Sequence, residues 1–205
     1  MKTAEKVDLY REHKGEYAAS KKPALVKLGP ATYLAISGQG APGGRAFTDA
    51  IGALYGVAFT VKMTRKFAGE RDYVVAKLEG LWPDFGSDPM PEKDHWSWQL
   101  MIRTPKFVKQ EEITRAVAVL LKRGKGADCE RVRLVPLEEG LCVQCLHVGP
   151  YDKECATVAM MKSFAEEEKV KFCEVHHEIY LSDPRRVAPA KLRTILRHPV
   201  ERVGT

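Results

Sequence analysis

His176-His177-Glu178-Ile179-Tyr180-Leu181-Ser182-Asp183-Pro184-Arg185-Arg186 is the stretch on which the fold turns. Six residues of strand character run into Ser182-Asp183-Pro184, where proline cannot donate to a ladder and Ser and Asp favour a turn. Side chains of a strand alternate between its faces. His176, Glu178 and Tyr180 therefore share one face, and His177, Ile179 and Leu181 the other. The second face is mostly apolar and reads as ordinary core. The first sets a carboxylate beside a phenol, which suits a small-molecule site with one charged group. The plainer reading of Glu178 is a solvent-facing decoration, since antiparallel sheets often keep one wet face.

Outward from this hairpin arm, the chain repeats an order. A strand at Tyr33–Ser37 meets the glycine-rich loop Gly38–Gly44, and a helix runs from about Arg45 to Phe67. Its stripe of Phe47, Ile51, Leu54, Ala58 and Val61 recurs at fours and threes, and Gly69 closes it. A hairpin follows from Tyr73–Trp82 and Trp96–Arg103. The second half begins with a short strand at Arg131–Val135 and has a firm one at Leu141–Val148. Gly149-Pro150 then opens a helix from Tyr151 to about Lys169, striped by Tyr151, Cys155, Val158, Met161 and Ala165. His176–Ser182 and Leu192–His198 make the second hairpin. A helix at Lys109–Arg123 connects the halves, and Asp8–Ser20 reads as a short charged surface helix.

Short echoes tie the halves together. Ala35-Ile36-Ser37-Gly38 answers Leu146-His147-Val148-Gly149, and Leu100–Pro105 answers Thr194–Pro199. Glu79 and Glu178 each lie in the first arm of a hairpin. The fold class is therefore α+β, built from duplicated strand-helix-hairpin units. One domain holds two pseudo-repeats, at about 24–105 and 131–205, with the connecting helix at about 106–130. Antiparallel strands carry the helices on one side, and a ligand cleft is expected at the seam between the halves.

A chain of 205 residues with 44% hydrophobic and 29% charged content is an ordinary globular protein. The start has no secretory signal, and no apolar run approaches the ~20 residues of a membrane span, so a cytoplasmic protein without membrane partners is expected. The net charge of +6 is concentrated: residues 184–205 hold six bases against Glu201, which is +5 of the total. Without a recognition helix, finger or interleaved aromatics, that patch points to no direct nucleic-acid partner.

Cys142 and Cys145 stand three apart on a strand, and His176 and His177 are adjacent. Either spacing sends the side chains to opposite faces, so no metal and no disulfide are expected. Gly38-x-Gly40-x-x-Gly43 lacks the acidic residue that a dinucleotide site places about 20 positions on, so these glycines read as turn-makers and no cofactor is expected. Trp96 and Trp98 share a strand face, and Trp82 ends the partner strand. Indoles pack in cores, but a tryptophan wall opposite one carboxylate also selects flat aromatic or cationic ligands.

His177–Arg186, with Leu192-x-Thr194-Ile195-Leu196-Arg197-x-Pro199-Val200, resembles the stand-alone GyrI-like small-molecule-binding proteins. Asp8-Leu9-Tyr10, Ala18-x-x-Lys21-Lys22-Pro23, Ser37–Gly40, Leu78–Trp82 and Leu100–Arg103 extend the resemblance over nearly the whole chain. It implies the fold of effector domains in multidrug-sensing transcription regulators, without their DNA-binding part. Some stand-alone members open the cyclopropane of cyclopropanoid DNA-alkylating compounds. The resemblance implies Glu178 as general base and Tyr180 as its hydrogen-bonding neighbour. Trp98 would line the pocket, with Trp82 and Tyr151 nearby and Trp96 in the same wall. The alternative is a non-catalytic module, a drug sink or sensor, holding the same ligands. Where a second aromatic is expected after Trp82, this chain has Pro83.

Overall fold

A single antiparallel sheet organises the computed structural model, which describes residues 6–83, 85–86, 89, 91–173 and 175–204. Its strands are β1 (Ala24–Leu28), β2 (Ala31–Gln39), β3 (Leu78–Trp82), β4 (Ser97–Arg103), β5 (Arg133–Leu137), β6 (Gly140–Val148), β7 (Val170–Phe172), β8 (His176–Tyr180) and β9 (Arg193–Arg202). They lie in the order β1-β6-β9-β8-β3-β4-β2-β5, with β7 on the free end of β9. The halves meet where β3 pairs with β8, and Gly80 stands opposite Glu178. Each half also lends an outer strand to the other: β1 pairs with β6, and β5 with β2.

Both long helices cover one face. The helix expected at Arg45–Phe67 is there with those bounds, as α3, after the single turns α1 (Leu9–Glu12) and α2 (Lys14–Tyr17). Its Ala50, Ala53, Leu54, Val57, Ala58 and Val61 pack on Leu34, Ile36, Leu100 and Ile102 of β2 and β4. The connecting helix α4 (Gln110–Lys122) lies against α3. α5 (Glu154–Glu167) covers Val143, Cys145, Leu196 and Val200 in the other half. Positive φ at Gly40 (129°) and Gly43 (82°) fits the turn-making reading of that loop. Gly38 has a different reason to be glycine: a Cβ there would come within 2.2 Å of the Trp98 ring, which lies flat across it.

The reverse face departs from expectation. His177 does not sit in apolar core. It is fully buried between two carboxylates, with Nδ1 2.8 Å from Glu139 Oε1 and Nε2 3.0 Å from Glu79 Oε2. Arg197 donates to Glu139 (2.9 Å), to Gln144 (2.9 Å) and to the Glu16 carbonyl (2.7 Å). Tyr17 donates to Glu79, and Arg103 bridges Tyr17 and Glu16. The N-terminal turns thus cap this network with buried Leu9 and Tyr17 instead of lying on the surface as charged helix. Adjacent register puts Glu79 opposite Ile179, so Glu79 and Glu178 point to opposite faces and are not counterparts.

Candidate functional site

The helix-side face at the seam is built by β3, β8 and β9, with the first turn of α5 laid over it. Alternation along β8 turns His176, Glu178 and Tyr180 toward the helices. Glu178 is 7% exposed, so it does not decorate a wet surface. Beside it lies a second carboxyl group, Glu154 of α5, 2% exposed, with an oxygen within 4.8 Å of the Glu178 carboxylate. Burial and then the Glu178 charge push the Glu154 carboxyl well above its ordinary range. His176 Nε2 stands 3.3 Å from Glu178 Oε1.

Sequence reasoning missed Glu154 because an acid in the first turn of a helix ordinarily complements the helix dipole at the surface. A 3₁₀ turn over Tyr151–Lys153 precedes α5 and shifts its phase. Glu154, Val158, Met161 and Ala165 therefore face the sheet, while Cys155, placed on the stripe by the sequence, is exposed. The signal was present in the spacing, since 154, 158, 161 and 165 also recur at fours and threes.

Aromatic rings surround this acid pair. Trp82 Nε1 donates to the Tyr180 hydroxyl at 3.2 Å. Burial and the Glu178 charge push the Tyr180 phenol well above its ordinary range, which keeps it a neutral donor. Tyr151 meets Tyr180 edge-on at 5.9 Å and is 39% exposed, so it marks where the site reaches solvent; its phenol is pushed up to about 12 by burial and by Glu178. Trp96 contacts Trp82 edge-on at 6.0 Å. Trp98 is buried beneath α3, edge-on to Phe47, which in turn stacks with Trp82. The structure thus ties Tyr180 directly to Tyr151 and to Trp82, Trp96 to Trp82 by a ring contact, and Trp98 to Trp82 by way of Phe47. Phe85, two positions beyond Pro83, stacks on His176 at 4.1 Å. Hollows of about 440 Å³ and 210 Å³ lie elsewhere, the larger beside Glu12–Glu16 and Val26–Leu28 and the smaller beside α4 and Arg133.

Gly80 carries the Tyr180–Trp82 bond on its surface, since a Cβ there would stand 3.0 Å from the Tyr180 hydroxyl and 3.1 Å from Trp82 Nε1. Gly80→Ala is expected to separate the two and cost about 1–3 kcal/mol through overpacking. Thermal unfolding reads the loss, and an unchanged melting temperature would show that the two side chains yield freely.

Cys142 and Cys145 are both buried, and only Cys145 belongs to the cluster under α5. Glu154, His176 and Glu178 present ligand atoms within 4.8 Å of one another, a grouping no sequence spacing displayed. No helix among the described residues is long and apolar enough to cross a membrane.

Comparison with known proteins places this arrangement. The profile of the GyrI-like small molecule binding domain matches residues 21–201. An uncharacterized conserved protein from Listeria innocua is 40% identical, with a TM-score of 0.89, covering 96% of this chain and all of its own. A hydrolase from Listeria innocua is 38% identical, with a TM-score of 0.87 and the same coverage. The EcmrR C-terminal domain shares the fold at 13% identity and a TM-score of 0.59, covering 89% of this chain and 98% of that domain. No curated protein matches.

Proposed function

The chain belongs to the GyrI-like small-molecule-binding family, and from that premise we propose that it hydrolyses the cyclopropane ring of cyclopropanoid DNA-alkylating compounds, with Glu178 as general base. The observation that carries this reading is a carboxylate buried among aromatic side chains, beside a second buried carboxyl group. The Listeria innocua hydrolase, at 38% identity over the whole chain, adds support for hydrolytic chemistry.

Glu178 takes a proton from water as the water oxygen bonds to the cyclopropane methylene. The strained carbon–carbon bond breaks, and its electron pair moves into the conjugated carbonyl, which takes a proton from solvent water and becomes a phenol, while Glu178 returns its proton to the solvent. Ring strain already makes the substrate reactive, so positioning and one base suffice. Tyr180, held by Trp82, is the neutral donor on the same face. Tyr151 and Trp82 offer faces to a flat ligand, which enters past Tyr151.

Purified protein incubated with a cyclopropanoid alkylator should yield a ring-opened product one water heavier than the parent, detected by chromatography with mass spectrometry. Saturable ligand binding with no product would overturn the catalytic reading. It would leave the protein a binding module for flat aromatic or lipophilic cationic compounds.

A further inference from the structure

The geometry points to a binding site for one divalent first-row transition-metal ion of the zinc class, held by His176 Nε2 and by one oxygen each of Glu154 and Glu178. Three independent features converge. The ligand atoms cluster within 4.8 Å although they come from separate elements, α5 and β8. Among the described residues, Glu154 Oε1 and His176 Nε2 are buried atoms without a hydrogen-bond partner, in side chains only 2% and 1% exposed. The other ring nitrogen of His176 is engaged: Nδ1 lies 2.6 Å from His198 Nε2, and Phe85 stacks on the ring. A metal-binding imidazole is ordinarily held in this way, with one nitrogen anchored and the other aimed at the ion.

Charge favours the same conclusion. Two buried carboxylates cannot both ionise side by side without a compensating cation, and a divalent ion balances both. Ligands at ~2.1 Å around a tetrahedral ion stand ~3.4 Å apart. The 3.3 Å from His176 Nε2 to Glu178 Oε1 already meets that spacing, and the Glu154 carboxyl offers an oxygen within 4.8 Å of both. An imidazole nitrogen among the ligands selects zinc-like ions over magnesium and calcium, which take oxygen ligands.

The site is tested on the full chain, freed of metal with a chelator and titrated with Zn²⁺ by calorimetry and with Co²⁺ by visible absorption. One ion per chain is expected, with a cobalt spectrum free of thiolate charge-transfer bands. Glu154→Gln should weaken binding by at least about 100-fold, and zinc should raise the melting temperature of the wild type but not of that variant. His176→Asn supplies the same comparison if the first variant fails to fold. Replacing the exposed Cys155 and the half-buried Cys173 by serine should leave binding unchanged. No binding, binding indifferent to Glu154→Gln or His176→Asn, or binding lost with the cysteines would overturn the assignment. An ion on Glu178 would occupy the carboxylate that acts as base, so metal binding is read without substrate and ring opening on the metal-free chain, and each result stands by itself.

Discussion

Arg197→Ala is expected to destabilise the protein by about 3–5 kcal/mol, because it strips one partner from a buried charge network and leaves the rest uncompensated. Arg197 is 2% exposed and holds Glu139, Gln144 and the backbone of Glu16 together. Its loss leaves Glu139 with His177 alone and removes one of the bonds that tie the N-terminal turns to the sheet. For a chain of this size the change amounts to roughly a 10 °C fall in melting temperature. A fall of a degree or two would show that water or a local rearrangement replaces the guanidinium.

The same network sets a pH profile. Burial alone would lower the His177 pKa, but the Glu139 charge and the bonds to Glu139 and Glu79 outweigh it and raise it from 6.5 to about 9. That stabilisation is complete below pH 6.5 and is lost as pH rises through about 9. Burial would raise the Glu139 pKa, but His177 and Arg197 outweigh it and lower it from 4.5 to about 2. That contribution is complete above pH 4.5 and is lost as pH falls through about 2. Urea unfolding of the wild type should therefore show greatest stability from this network between pH 4.5 and 6.5, with losses on both sides. A flat profile from pH 5 to 9 would mean that His177 carries no charge.

Glu178→Gln is expected to lower kcat for ring opening by about 10²- to 10⁴-fold, the range a positioned general base supplies. Glutamine keeps the shape in this buried position, so the fold and ligand affinity should hold while the proton acceptor is lost. Single-turnover rates on one alkylator, compared with its binding constant, separate the two effects. A variant that binds normally and turns over like the wild type would remove Glu178 from the chemistry.

Much of this was legible in the residues, for reasons that differ by region. The α3 stripe is long and regular, and its bounds match the sequence reading. The strand arms were visible through alternation and their proline stops. β1 and β7 were missed because five and three residues, one of them beside Lys21-Lys22-Pro23, carry too little pattern. The polar seam face was legible in His176, Glu178 and Tyr180. Its second acid was missed although 154, 158, 161 and 165 keep helical spacing, because an acid in the first turn of a helix ordinarily faces water. The charge network escaped for the opposite reason: His177 sits between Ile179 and apolar neighbours in sequence, and only distant Glu79, Glu139 and Arg197 explain it.

The exchange of outer strands has a consequence for how the chain reaches this state. β1 must wait for β6, more than a hundred residues later, before its edge is satisfied, and β5 pairs with β2, a strand synthesised long before it. Contacts this distant in sequence slow the search for the native topology and bind both lobes into one cooperative transition. Neither lobe expressed by itself would carry its own rim, so splitting the gene between them should give two insoluble fragments that recover only when mixed.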